Sequence, residues 1–259
     1  MRSINAVKSI GALALMLALA TSLALAGNPN PKILPIKSMP YGMSYGQWGD
    51  AWWQWAMSIP ADMNPVMDTT GEFAAVGQSG PVWFLAGTYG GGVPTERTVT
   101  IPAGKALFFP IYNWLWINFP LLGDNPWSAE QEAYIRAWLA EQMDAVEPGD
   151  LACEIDGRPV AKILSYRCST PPGEAFMVDL PENDPWGLVG LEDVNGDIIQ
   201  PGLYGPSIQD GIYLMVTPLT AGQHTIHFSA AGALDVTYHL TVAPPVAVEA
   251  APDSSTALE

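Results

Sequence analysis

Positive charge is scarce in this sequence: ten Lys and Arg side chains stand against 26 Asp and Glu, a formal net charge of −16. A chain of that sign is repelled by phosphate backbones, which excludes nucleic acid as a partner. Charge of either sign is sparse at 14% of residues, whereas 49% are hydrophobic, so the chain can bury a large core and wholesale disorder is excluded. The three histidines, His224, His227 and His239, show neither HxH nor HExxH spacing. The two cysteines, Cys153 and Cys168, are too few to ligate a metal and lack the CxxC spacing of a redox pair. Beyond the first 26 residues every apolar run is broken by Pro, Gly or charge within about ten residues, short of a bilayer span.

The amino terminus carries Arg2 and Lys8, then an apolar run from Ile10 to Leu19 and the small-x-small ending Ala24-Leu25-Ala26. This pattern predicts a signal peptide over residues 1–26, cleaved after Ala26, and a mature protein that is exported to the periplasm or medium without a membrane span. A membrane anchor is the alternative, and the run is shorter than the ~20 residues it needs. In an oxidising compartment Cys153 and Cys168 are expected to pair, closing a loop worth roughly 3 kcal/mol. Fifteen of the acidic residues lie between Glu130 and Asp197, which reads as a solvated face or, alternatively, a surface for divalent cations.

Residues 27–43 form a Pro-rich, extended lead-in. Ser44 with Gln47 three residues on makes a capping box for a helix from Tyr45 to Ser58, and Pro60 ends it. Tyr45, Trp48, Trp52 and Trp55 share one face of that helix and are expected to pack against a sheet in preference to forming a ligand platform. Four short runs, Phe73–Val76, Pro81–Ala86, Arg97–Ile101 and Lys105–Ile111, read as consecutive antiparallel strands, with Pro102-Ala103-Gly104 as the turn between the last two. Tyr112 to Trp127 reads as irregular and exposed. Ser128 caps a second helix with Ile135, Leu139, Met143 and Val146 as its apolar stripe and Glu132–Arg136 as an i,i+4 pair.

Asp156-Gly157 between Leu151–Ile155 and Pro159–Arg167 is a hairpin signal, with the two cysteines at its outer ends. Leu180 to Ser207 reads as loop. Strands follow at Ile212–Thr217, Gln223–Ser229 and Leu234–Val242, and in the last of these apolar and polar residues alternate strictly. The tail from Ala243 to Glu259 reads as disordered. These elements predict a single domain over residues 44–242, mainly β, an antiparallel β-sandwich of jelly-roll type with two inserted helices.

The runs YGQWGDAWWQWAMSIP, GQSGPVWFLAG, RTVTIPAGKALFFPIYN, CEIDGRPV and DGIYLMVTPLTAGQHTIHF with DVTYHLTV, taken in that order, resemble a group of secreted bacterial proteins to which no activity is assigned. The resemblance covers Tyr45 to Val242 and implies an exported, single-domain, β-rich protein; it carries no catalytic residue across. Members of the group often have cysteines where this chain has Ala74 and Thr98, so its disulfide layout does not transfer.

Among candidate chemistries, Gly77-Gln78-Ser79-Gly80 imitates a nucleophile turn, but Pro81 stands where GxSxG requires Gly. His227, Asp235 and His239 fall on the wet faces of adjacent strands, within reach of a surface metal or an acid/base pair. Asp193, Asn195 and Asp197 offer oxygen ligands at alternate positions, with Glu192, Asp184 or Glu182 to complete a calcium site. Ile198 and Tyr204 stand where an EF-hand needs Gly and Glu, so that motif fails. Structural calcium is therefore the only cofactor the sequence suggests. Asp50 and Asp210 are the carboxyls to inspect for a hydrolytic pair. Three functions follow: a non-catalytic binding module contacting a glycan or envelope protein through Trp114, Trp116 and Phe119; a polysaccharide hydrolase or lyase with a carboxylate pair; and an envelope assembly subunit whose lead-in adds a strand to a neighbour.

Overall fold

The computed structural model describes residues 32–89, 91–119, 127–192, 196–230 and 232–244. The expected leader, most of the expected tail, and the candidate calcium ligands Asp193 and Asn195 lie outside them. Among the described residues the protein is mainly β, with ten strands in two mixed five-stranded sheets and two α-helices.

The first sheet contains β1 (Val82–Phe84), β3 (Ala106–Ile117), β6 (Arg167–Ser169), β7 (Phe176–Leu180) and β8 (Gly202–Val216), in the order β1-β3-β8-β6 with β7 also on β8. The second contains β2 (Pro94–Ile101), β4 (Leu151–Ile155), β5 (Arg158–Pro159), β9 (Gly222–Ala230) and β10 (Leu234–Val242), in the order β2-β10-β9-β4-β5. The expected all-antiparallel arrangement is corrected in two places, because β1 runs parallel to β3 and β2 parallel to β10. The Pro102–Gly104 turn does not close a hairpin; it carries the chain from one sheet to the other. The division is visible in side-chain patterning: β2 alternates between buried and exposed positions, as a one-sided strand does, whereas β3 opens with six buried residues. Phe109 of β3 and Phe228 of β9 meet across the gap between the sheets, ring centroids 4.8 Å apart. Phe73–Val76 forms turns in place of the expected strand.

The helix α1 (Tyr45–Ser58) has the expected bounds and capping box: Gln47 N–H donates to Ser44 Oγ at 3.2 Å and Ser44 N–H to Gln47 Oε1 at 2.9 Å. Asn64 helps to end it, donating from its side chain to the carbonyls of Ala56 and Ile59. The helix lies on the first sheet, and its four tryptophans are core residues, three of whose indoles tether surrounding segments: Trp48 donates to Pro40 O, Trp52 to Leu85 O and Trp55 to Val76 O. On the other side, Gly46 and Gly49 bring the helix backbone onto the sheet; a Cβ at Gly46 would stand 2.2 Å from Ser169 O, and one at Gly49 2.7 Å from Gln209 Nε2.

β3 does not end at Ile111 as expected. It continues through Ile117, paired with β8 from Ser207 to Val216, and its register shifts between Pro110 and Tyr112. The extra residue of such a bulge exchanges the two faces of the strand. Phe108, before the bulge, packs on Tyr45 and Trp48 of α1, while beyond it the odd residues Asn113, Leu115 and Ile117 face the helix. Trp114 and Trp116 therefore turn to the opposite face. There they meet Trp138 of α2 (Ala129–Asp144), with ring centroids 5.6 and 5.5 Å away, beside buried Ile135, Leu139 and Ile208. The first part of β8 occupies a segment, rich in Gly and Pro, that the sequence reads as loop, and β7 lies in a stretch to which the sequence reading assigns no element.

The Asp156-Gly157 turn forms as expected, both residues at positive φ, but its second strand is only two residues long. A 3-10 turn at Ile163–Tyr166 then carries the chain across, and Cys168 enters the first sheet opposite Gly211 while Cys153 stays in the second opposite Phe228. The two cysteines are free thiols, and the expected clamp across one hairpin is corrected: the strand that was to hold Cys168 beside Cys153 does not exist. Burial pushes both thiols up, away from a reactive thiolate.

The described part of the lead-in is tied into this chain's own fold. Ile33 bridges to Val216, Leu34 N–H donates to Met215 O, and Tyr45 OH donates to Leu34 O. Lys32 Nζ reaches Asp156 at 2.5 Å. Burial raises the Asp156 carboxyl, but hydrogen bonds from Lys32, His224 and Thr225 N–H outweigh it and hold the group down at about 2. A carboxyl depressed in the folded state stabilises above its unfolded value of 3.8, and that stabilisation disappears as pH falls toward 2. In urea unfolding, Asp156→Asn should therefore lower the midpoint at pH 6 and remove part of the loss that the wild type shows between pH 4 and pH 2.

Arg97 holds the second sheet to the loops above it. It is 1% exposed, on the inward parity of β2, and among the described residues no carboxylate pairs with it. Its Nε donates to Asp68 O, Nη1 to Ala86 O and Tyr238 OH, and Nη2 to Gly87 O, at 2.6–2.9 Å. Its guanidinium carbon also sits 5.4 Å from the Tyr238 ring centroid. Arg97→Met should cost about 2–4 kcal/mol in denaturant unfolding, because it leaves the buried carbonyls of Asp68 and Gly87 without donors, while Ala86 O keeps the bond from Tyr238 OH.

Candidate functional site

The bulged half of β3 forms the floor of an open aromatic cleft between α1 and two loops. Its two adjoining lobes, each of about 330 Å³, share Trp53 from α1, Tyr89 from the loop after β1, Asn113 and Trp114 from β3, and Trp186 from the loop after β7. Trp186 packs against Trp53 at 5.9 Å and Tyr89 at 5.7 Å between ring centroids. Each wall has a specific support. Arg97 holds the Ala86 and Gly87 carbonyls that lead to Thr88 and Tyr89. Asp184 organises the opposite loop: its carboxylate oxygens accept from Trp186 N–H at 3.0 Å and Val189 N–H at 2.7 Å. Sequence reading offered Asp184 as a calcium ligand; in the structure it holds Trp186 in place.

Among the described residues the lining carries no Asp, Glu, His, Lys or Arg; its polar groups there are amide, hydroxyl and indole. Thr88 Oγ1, in the wall, is buried with no hydrogen-bond partner among the described residues.

The predicted contact rings divide. Trp114 lines both lobes, half-buried. Phe119 is 6% exposed and lines one lobe from within the core, packed on Tyr204 at 5.0 Å, which corrects its assignment to an exposed surface. Trp116 is half-buried against Trp138 and lines neither lobe. Asp197, the described member of the calcium trio, is exposed, and no metal-binding group of three His, Cys, Asp or Glu side chains occurs among the described residues.

The histidines are scattered. His227 pairs with Asp235 at 2.9 Å as expected, His239 turns to Glu96 at 3.4 Å, and His224 lies against Asp156. Ser79 is on an exposed turn whose geometry is set by Gln78, which bonds Ala74 O and both backbone groups of Phe84. Asp210, one of the two carboxyls singled out in sequence, is engaged by Arg167 at 2.7 Å.

Asp50, the other, lies between α1 and the first sheet and lines neither lobe. It is 6% exposed and accepts from Thr170 Oγ1 at 2.6 Å, while Thr170 Oγ1 accepts from Gln209 N–H. Burial raises its carboxyl to about 7, against the opposing pull of the hydrogen bonds from Thr170 and Gln209. A carboxyl raised in the folded state costs stability as pH climbs from its unfolded value of 3.8 through about 7. Asp50→Asn should remove that decline, on the order of 2–4 kcal/mol between pH 4 and pH 8 in denaturant unfolding, and leave the protein at least as stable as wild type at pH 8.

Compared with protein-family models, with curated proteins and with solved structures, the chain matches none. Fold and site together define a mainly β protein of two mixed sheets and two helices, with a neutral, aromatic-lined cleft over the larger helix.

Proposed function

We propose that this is an exported binding protein whose two sheets form a β-sandwich and whose aromatic cleft receives a neutral saccharide. The observation that carries this reading is the convergence of Trp53, Trp186 and Tyr89, from three separate segments, on one open cleft that Trp114 borders and whose described lining residues include no ionised group. Indole and phenol rings offer apolar faces to the C–H faces of sugar rings, and a few fixed polar groups supply orientation. Among the described lining residues a charged ligand finds no counter-ion, and a purely apolar one would leave Asn113 and Thr88 unmatched.

The binding-module reading therefore moves from an exposed patch to a cleft, with Trp114 common to both. The strand-addition reading loses support, since Ile33 is already paired with Val216 of its own chain.

Trp186 is the ring to test, because it touches both Trp53 and Tyr89 and belongs to a loop outside both sheets. Titration with cellohexaose, followed by tryptophan fluorescence, should show saturable binding that Trp186→Ala weakens by about thirtyfold, as loss of a central aromatic anchor does, and that Trp114→Ala, at the border of the cleft, weakens by a smaller factor. Binding that survives both substitutions would refute the cleft.

A further inference from the structure

Asn113 lies at the centre of the cleft, on the floor of both lobes. Its side chain ends in a donor and an acceptor, and the partners behind it decide which one a ligand meets. Those partners form a chain with a single allowed direction. The Gly46 carbonyl in α1 can only accept, so the end of Gln209 facing it at 3.3 Å is Nε2. Gln209 then turns Oε1 toward Tyr213, whose hydroxyl donates to it at 2.9 Å. Having given its one proton to Gln209, the Tyr213 oxygen can only accept from Asn113, so the group 3.1 Å away is Nδ2. The acceptor Oδ1 is left on the other side of the amide, with no protein partner among the described residues.

The chain is built closely enough to hold this orientation. Tyr213 is fully buried and stacked on Phe108, with centroids 5.2 Å apart and planes 6° apart. Gly211, across the strand pair from Asn113, leaves the space the contact needs: a Cβ there would lie 2.6 Å from Asn113 Cβ and 2.7 Å from Tyr213 Cε2. Gln209 is itself fully buried, against Gly49 of the helix.

We propose that Asn113 is the specificity-determining residue of the cleft: Gly46, Gln209 and Tyr213 fix its amide so that Oδ1 is a standing acceptor, and the saccharide it selects gives a free hydroxyl proton to that oxygen. The inference rests on the cleft being the binding site. An acceptor in fixed orientation rejects a ligand whose hydroxyl is capped, because the ether oxygen put in its place has no proton to give.

The test compares cellohexaose with its fully O-methylated counterpart on the full chain, using tryptophan fluorescence, together with an NMR spectrum of the side-chain amides. Wild type should prefer the free sugar by about tenfold, Asn113→Ala should bind both equally, and Tyr213→Phe should narrow the preference although Tyr213 lines neither lobe. The Asn113 Hδ2 protons should show nuclear Overhauser effects to the Tyr213 ring with no ligand present. Absence of that effect in a folded protein overturns the proposal without reference to any sugar and whatever becomes of the variants. Discrimination that persists in Asn113→Ala while Trp186→Ala abolishes binding overturns it and leaves the cleft standing. Binding untouched by Trp186→Ala removes both.

Discussion

The backbone of α1 approaches β6 and β8 with no side chain of its own at Gly46 and Gly49 to hold it off, and the rest of the architecture depends on that contact. Gly46 and Gly49 are poor helix formers, each less favourable than alanine by about 1 kcal/mol inside a helix. They are used here because Ser169 O and the Gln209 side chain occupy the space a Cβ would need. With the helix so close, Trp48, Trp52 and Trp55 reach the loops on its other flank and donate to three separate carbonyls, so one element organises the segments on both sides of it. The same approach puts the Gly46 carbonyl on Gln209 and begins the chain that ends at Asn113.

The cleft results from two local departures from regular structure. The bulge in β3 exchanges its faces, so that Asn113, Leu115 and Ile117 look toward α1 while Trp114 and Trp116 are taken up by Trp138. A regular strand would have sent Asn113 to the α2 side, away from Tyr213. The second departure is the pair of loops carrying Tyr89 and Trp186, held from beneath by one buried cation and one buried carboxylate. Arg97 bonds the backbone of the first and Asp184 that of the second. Both charged groups are directed at main-chain atoms and away from the lining, so the cleft stays neutral while its walls are fixed electrostatically.

Elements whose information is local were legible in the sequence. The α1 bounds follow from Ser44, Gln47 and Pro60, the Asp156-Gly157 turn from two residues able to take positive φ, and β10 from nine residues of strict alternation. What was not legible depends on partners far along the chain. Nothing in Pro102-Ala103-Gly104 distinguishes a hairpin from a crossing between sheets, and the parallel pairing of β2 with β10 joins Thr98 to His239. β8 contains Gly202, Gly205, Pro206 and Gly211, which read as breakers; the strand persists because β3 pairs along most of it and β7 and β6 share its other edge. Of the rings singled out in sequence, Trp114 borders both lobes and Phe119 one. Asn113 read as loop because the bulge that orients it is a property of the β3–β8 register. One signal was there to be used: Arg97 shares parity with Val99 and Ile101, and a cation in an apolar row marks a buried anchor.

Gly46→Ala in the otherwise unaltered chain, compared with wild type by denaturant unfolding, tests the central contact by its sign. Helix propensity alone makes the substitution neutral or stabilising by up to about 1 kcal/mol. The close approach predicts the reverse, a loss of about 2 kcal/mol or more, since the added methyl meets a backbone oxygen that cannot move without displacing β6. An alanine variant as stable as wild type, or more so, would show that α1 does not rest on the sheet as described.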